Sequence, residues 1–172
     1  MAGERDPIRE AHVQWVRHGW ADAADGMAMV TSLVRAHQLM MERIEALLRP
    51  LDLTFARYEV LQLLSFVESG SMPMTRLGSL LQVHPTSVTS AVERLVRQGY
   101  VERLRREADR RVVLASLTFD GRRVAGEATG RLNAEVFERP GLEGADVRRL
   151  IELLGSLRAH AGDPVSHSVV TG

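Results

Sequence analysis

The stretch from residue 84 to residue 118 limits the fold of this 172-residue chain more than any other part. Residues 85–98 carry apolar side chains at the three- and four-residue spacing of a helix, and Gly99 follows as a C-terminal stop. Residues 100–106 and 111–117 then have the composition of two strands. The sequence therefore predicts an amphipathic helix followed at once by a two-stranded hairpin.

A second short helix precedes this unit. Residues 75–81 form one helical pattern, and Gln82, Val83 and His84 predict a tight turn before the next helix begins at Pro85. Two short helices joined by about three residues are a helix-turn-helix. With the hairpin added, the pattern has the outline of a winged helix-turn-helix.

Helical patterns fill the rest of the chain, so the predicted fold class is mainly α with a small β-wing. Asp6 and Pro7 favour a first helix over about 7–24, and Gly26 is expected to break it. Further helices are predicted over about 27–49, 55–67, 119–137 and 143–160, with Thr54 and Thr118 as caps. We expect N-terminal helices over 1–50, the winged unit over 51–118, C-terminal helices over 119–162 and a flexible tail over 163–172.

Composition excludes several classes of site and concentrates charge at the hairpin. The chain has no cysteine, which excludes disulfides and thiolate chemistry. No apolar run is long enough to span a bilayer, so we expect no membrane contact and a cytoplasmic location. The formal net charge is zero, yet residues 94–111 hold seven arginines and three acids. Positive charge is therefore focused at the helix and hairpin.

The helix from Pro85 has a face that suits DNA. Val88, Ala91, Val92, Leu95 and Val96 are predicted to face the core, whereas seven polar residues share the other side: Thr86, Ser87, Thr89, Ser90, Glu93, Arg94 and Arg97. Hydroxyls and guanidinium groups can hydrogen-bond to base edges or phosphates in the major groove. Taken alone, this face is better explained by helix capping and solvation. The arginine-rich hairpin favours DNA, because arginine is attracted to narrow minor grooves.

The run from Asp109 to Thr118 has an Asp, an Arg two positions later, and a strand that ends in Leu-Thr. This hairpin resembles the wing of the MarR family of transcriptional regulators. Upstream, LGSLLQVHPTSVTSAVERLVRQGYVER is similar to that family's helix-turn-helix, and the likeness in element order covers about residues 27–160. The resemblance implies a homodimer joined by its N- and C-terminal helices. The abundance of apolar residues in those helices agrees with such pairing.

The resemblance also implies the partners and their sites. Double-stranded DNA would take the helix from Pro85 in its major groove and Arg110 or Arg111 in its minor groove, with Asp109 holding an arginine. The expected DNA-binding residues are His84, Pro85, Thr86, Ser87, Thr89, Ser90, Arg94, Arg97, Arg110 and Arg111, with Asp109 in support. The expected role is a repressor that acts on a pseudo-palindromic operator.

A small-molecule effector is expected between the N-terminal helices and the winged unit, as in many members of that family. An aromatic or phenolic anion would suit these side chains: Trp15, Trp20, His37, Met41, Arg57 and Glu59. Tryptophan and methionine at helical spacing are also ordinary core residues, so this assignment competes with a purely structural one. The six histidines show no ligand pair at helical spacing, so neither a metal nor a cofactor is expected.

Two other classes of function remain open from the sequence. A winged helix can be a protein-interaction module without sequence-specific DNA binding, and the basic hairpin argues against this alternative. An enzyme is not expected, because the chain has no phosphate-binding glycine loop and no nucleophile motif.

Overall fold

The computed structural model describes residues 6–81, 84–106 and 109–165, which form seven α-helices and one three-stranded sheet. The helices are α1 (Pro7–Arg17), α2 (Ala21–Leu48), α3 (Phe55–Ser65), α4 (Met74–Leu81), α5 (Pro85–Arg97), α6 (Phe119–Leu132) and α7 (Gly144–His160); the strands are β1 (Ser71–Pro73), β2 (Val101–Arg106) and β3 (Asp109–Leu117). The predicted fold class is confirmed. The turn residues Gln82, Val83, Glu107 and Ala108, and the tail from residue 166, lie outside the described residues.

The boundary between the first two helices differs from the prediction. The cap at Asp6 is confirmed, since its carboxylate accepts a hydrogen bond from the Ile8 N–H at 3.0 Å. However, α1 ends at Arg17, because Gly19 adopts a φ of +83°. The Trp20 N–H then donates a hydrogen bond to the Trp15 carbonyl at 3.0 Å, which caps the end of the helix. The predicted helix break at Gly26 is wrong, because Gly26 lies inside α2. A single glycine there lowers helix stability by only about 1 kcal/mol relative to alanine.

The core of the winged unit is built by α3, α4, α5 and the sheet. These elements pack against one another, and their shared interior is aliphatic. Its fully buried members include Val60, Leu61, Leu64, Leu77, Val92, Leu95 and Ala115. As predicted from its nearly all-round apolar pattern, α3 lies at the centre. This placement fixes the position of α5, which presents its other side to solvent.

The sheet has the order β1-β3-β2 and is antiparallel throughout. The sequence missed β1, because a three-residue strand ending in Pro73 is too short for an alternating pattern to show. Proline is tolerated there since β1 is an edge strand. The second hairpin strand begins at Asp109, two residues earlier than predicted, and a register irregularity separates Arg105 from Arg106.

The chain divides between Ala128 and Thr129 into two compact units. The first holds α1 to α5, the sheet and most of α6. The second holds the end of α6, a π-helical turn (Asn133–Phe137) and α7. In the described part of the chain, no helix is both long enough and apolar enough to cross a membrane.

Candidate nucleic-acid interface

The start of α5 is fixed by His84 and Pro85. The backbone of Pro85 takes the first helical position, where a missing N–H costs nothing. The imidazole Nδ1 of His84 accepts a hydrogen bond from the Thr86 N–H at 3.3 Å and lies 3.1 Å from the Thr86 hydroxyl. His84 is therefore the N-terminal cap, and Thr86 and Ser87 in the first turn are exposed.

The two faces of α5 separate largely as predicted. Val88, Val92 and Leu95 are buried, whereas all seven residues of the predicted polar side are exposed. The prediction was wrong for Val96, which is 37% exposed and lines a shallow cleft with Arg103. Successive side chains of an α-helix point about 100° apart around its axis. Because the buried face of α5 is centred on Leu95, Val96 lies at the edge of that face.

A groove of about 600 Å³ runs between the start of α3 and the polar face of α5. It is open to solvent, and arginine and hydroxyl side chains dominate its lining: Thr54, Arg57, Thr86, Ser87, Ser90, Ala91, Arg94 and Arg97. Three guanidinium groups and four hydroxyls thus line one concave surface. Such a surface offers hydrogen-bond donors and positive charge to an anionic polymer.

A polar cluster at Asp52 ties this groove together. The Asp52 carboxylate accepts from the Arg94 guanidinium at 3.2 Å and from the Gln98 amide at 2.8 Å. Its carbonyl accepts from Arg57 at 2.7 Å and from Gln98 at 2.8 Å. Asp52 has a φ of +50°, the only positive φ of a non-glycine residue in the described chain. Residues far apart in sequence are thereby held together at the end of α5.

The wing follows α5 directly. Gly99 has a φ of +75°, and the Tyr100 N–H bonds to the Leu95 carbonyl at 3.0 Å, so the predicted glycine stop is confirmed. Arg103 of β2 lies 3.6 Å from Glu93 of α5, which links the strand to the helix. Arg111 is exposed on β3. The backbones of Asp109 and Arg110 belong to β3, and their side chains lie outside the described part of the structure.

The six residues expected at an effector site do not form one cluster. Trp15 and Trp20 meet edge to face with centroids 5.4 Å apart, and Trp20 also stacks on His18. His37 and Met41 line a different groove, of about 440 Å³, with Arg49. His37 lies sixteen positions after Ala21 in α2, which is about 24 Å along the helix.

The other two expected effector residues lie on α3. Arg57 lines the groove beside α5, and no tryptophan lines that groove. Glu59 is half-buried, and the loss of hydration raises the pKa of its carboxyl. In residues 6–81, 84–106 and 109–165, no three histidine or acidic side chains are grouped so as to hold a metal ion.

Sequence reasoning missed the contributions of Asp52, Thr54 and Gln98 to this surface. Thr54 was identified only as a helix cap, a role confirmed by its hydroxyl accepting from the Arg57 N–H at 3.4 Å. The side chains of Asp52 and Gln98 carry no local signal, because their side-chain partners lie more than 40 residues away in the chain.

Comparisons with known proteins identify the relatives of this arrangement. A sequence model of the MarR family matches residues 53–113. The crystal structure of Sco5413, a MarR family transcriptional regulator from Streptomyces coelicolor, is 40% identical with a TM-score of 0.72, over 83% of this chain and 99% of that chain. An HTH-type transcriptional regulator of Bacillus subtilis, YhbI, is 29% identical over 66% of this chain and 73% of its own length.

A further structural relative has a known regulator. BpsR of Bordetella bronchiseptica, whose DNA binding is regulated by 6-hydroxynicotinic acid, is 25% identical with a TM-score of 0.66. The likeness covers 74% of this chain and 90% of that chain.

Proposed function

This chain belongs to the MarR family of transcriptional regulators, and from that premise we propose that it is a cytoplasmic, homodimeric repressor of a pseudo-palindromic DNA operator. We further propose that a small aromatic or phenolic ligand lowers its affinity for DNA. DNA binding, dimer formation and the response to a ligand each rest on a separate feature of the molecule.

The observation that carries DNA binding is the exposed polar face of α5 beside an arginine-lined groove. Thr86, Ser87, Thr89 and Ser90 are all exposed on the first turns, where an inserted helix meets base edges. The opposite side is anchored by Val92 and Leu95, both fully buried. Because the helix is held by its core face, its polar face is pre-organised for the major groove. On the wing, Arg110 and Arg111, supported by Asp109, are proposed to enter the adjacent minor groove.

Homodimer formation is supported by apolar surface that the single chain leaves uncovered. On α2, Val30 and Val34 are 54% and 51% exposed, and on α7 Leu153 is 58% exposed. Further exposed apolar residues on these helices include Met29, Leu33, Leu150, Ile151 and Leu157. Burial of apolar surface contributes about 25 cal/mol per Å², so pairing of these helices is favourable. A two-fold dimer would present two α5 helices to two half-sites.

A regulatory ligand is supported by two candidate surfaces. The exposed Trp20 ring and the half-buried Trp15 ring offer an aromatic surface, and the groove at His37 and Met41 offers imidazole and thioether contacts next to Arg49. The regulation of BpsR by 6-hydroxynicotinic acid supports an aromatic acid as the class of ligand. A thermal shift with substituted benzoates, followed by Trp20→Ala and His37→Ala variants, would show which surface binds.

DNA binding is tested by selection of operator sequences from random duplexes, followed by affinity measurements. Wild-type protein should enrich a palindrome, and Arg111→Ala should weaken binding to it substantially. Arg9→Gln, which removes an equal charge from an exposed site on α1, is the control and should retain affinity. Ser90→Ala and Thr89→Val should change the base preference of the selected sites. A chain that enriches no sequence would instead be a winged-helix module for protein interaction.

A further inference from the structure

The Arg57 guanidinium is held in place by hydrogen bonds to neutral groups and not by an acidic side chain. Its Nη1 donates to the Asp52 carbonyl at 2.7 Å and to the Gln98 side-chain oxygen at 3.0 Å, and its Nε donates to the Thr54 hydroxyl at 3.3 Å. All three acceptors are neutral. Within the described part of the chain, Arg57 forms no ion pair. These bonds fix the direction of the guanidinium and leave its charge uncompensated.

The nearby carboxylates are engaged elsewhere. Asp52 directs its carboxylate to Arg94 and Gln98, at 3.2 and 2.8 Å. Glu45 accepts from the Phe55 N–H at 2.9 Å and so caps the start of α3. The groove thus combines the three positive charges of Arg57, Arg94 and Arg97 with the single negative charge of Asp52.

The position of Arg57 beside α5 indicates which part of a bound DNA its positive charge would contact. Arg57 shares the groove with Thr86, Ser87 and Ser90, which belong to the face proposed to enter the major groove. When a helix lies in that groove, the sugar-phosphate backbone runs along its flanks. One nitrogen of the guanidinium, Nη2, has no hydrogen bond within the described structure, and its two hydrogens are the donors left for phosphate oxygens.

We propose that the groove between α3 and α5 seats a phosphate of the DNA backbone and that Arg57, which lies outside the helix-turn-helix, is its principal ligand. The inference rests on the proposed DNA-binding function and adds a contact from a separate helix. It also gives a reason for the strained backbone of Asp52: the carbonyl and carboxylate of that residue orient Arg57 and Arg94 at once.

The test measures operator affinity as a function of salt for wild type, Arg57→Gln, Arg57→Lys and the control Arg9→Gln. Each phosphate contact contributes about 0.9 to the slope of log K against log salt. Arg57→Gln should therefore reduce the slope by about 0.9 per protomer, or about 1.8 for a dimer, and weaken binding about eightfold per protomer at about 0.1 M salt. The slope of Arg9→Gln should stay at the wild-type value, and Arg57→Lys, which keeps the charge but loses the orienting bonds, should lose less of the slope than Arg57→Gln. Selected and scrambled duplexes should lose affinity equally with Arg57→Gln, because a phosphate carries no sequence information.

Each outcome has one meaning. A wild-type slope for Arg57→Gln overturns the inference, even if its affinity falls, because the arginine would then act only through the fold. A slope for Arg57→Lys as low as that of Arg57→Gln also overturns it, since the lysine variant keeps the charge. If wild-type protein binds selected and scrambled duplexes alike, the proposed function itself fails, whatever the Arg57 variants do.

Discussion

Gly121, in the first turn of α6, is the position where one methyl group should cost the most stability. A Cβ built on Gly121 would lie 2.0 Å from the Tyr100 carbonyl oxygen and 2.9 Å from the Leu117 Cδ1, whereas real Cβ atoms keep at least 3.0 Å. The start of α6 would therefore have to move by about 1 Å relative to the link between α5 and β2. The Leu117 Cδ1 is a side-chain end that can rotate away, but the Tyr100 carbonyl belongs to the backbone and cannot move without the chain.

Two hydrogen bonds resist that movement. The Thr118 N–H donates to the Tyr100 carbonyl at 3.1 Å, and the Thr118 hydroxyl donates to the Gly99 carbonyl at 2.8 Å. Stretching such a bond by about 1 Å removes it and costs about 1 kcal/mol. Overpacking adds about 1–3 kcal/mol, and the better helix propensity of alanine returns about 1 kcal/mol. Gly121→Ala should therefore lower the free energy of unfolding by about 1–3 kcal/mol.

Gly126 provides a matched control on the same helix. A Cβ there meets no atom within 4 Å, so Gly126→Ala should gain the helix propensity of alanine, about 1 kcal/mol, without strain. Urea unfolding followed by circular dichroism, at one protein concentration, gives both values from the midpoints. The two variants should differ by about 2–4 kcal/mol. If Gly121→Ala is as stable as Gly126→Ala, the close approach of α6 to Tyr100 is refuted.

Three further changes test other parts of the fold by the same urea assay. Leu95→Ala empties a fully buried position under α5 and should cost about 2–5 kcal/mol; a smaller loss would mean that α5 is not anchored there. Thr118→Ala removes the hydroxyl that accepts from the Gly121 N–H at 3.0 Å, and should cost about 1–2 kcal/mol. Burial raises the pKa of Glu59, so the folded state binds more protons than the unfolded state between the ordinary and the raised pKa. Stability should therefore fall as pH rises through that window, and Glu59→Gln should remove this part of the pH dependence; an identical pH profile in wild type and variant would contradict the burial of the carboxyl.

The sequence alone determined the elements whose causes are local. The two faces of α5 follow from the helical period, which acts over three or four residues. Gly99 stops the helix because glycine accepts a positive φ, and Thr118 caps α6 through a bond to a residue three positions later. The wrong helix boundary had a local cause too. Gly19 and Gly26 carry the same signal for a helix end, and the helix ends at Gly19, where the backbone adopts a positive φ.

Only the tertiary structure decided what lies beside α5. The apolar pattern of α3 predicted burial, yet it could not say which end of that helix would meet the polar face of α5. Packing of α3 against α5 brings Arg57 and Asp52 next to Gln98, across more than 40 residues of chain. Contacts between residues so far apart in sequence depend on how whole helices and strands pack together. A short sequence pattern carries no information about that packing. The sequence thus predicted the helix that we propose to enter DNA, and only the packing placed the arginine-lined groove beside it.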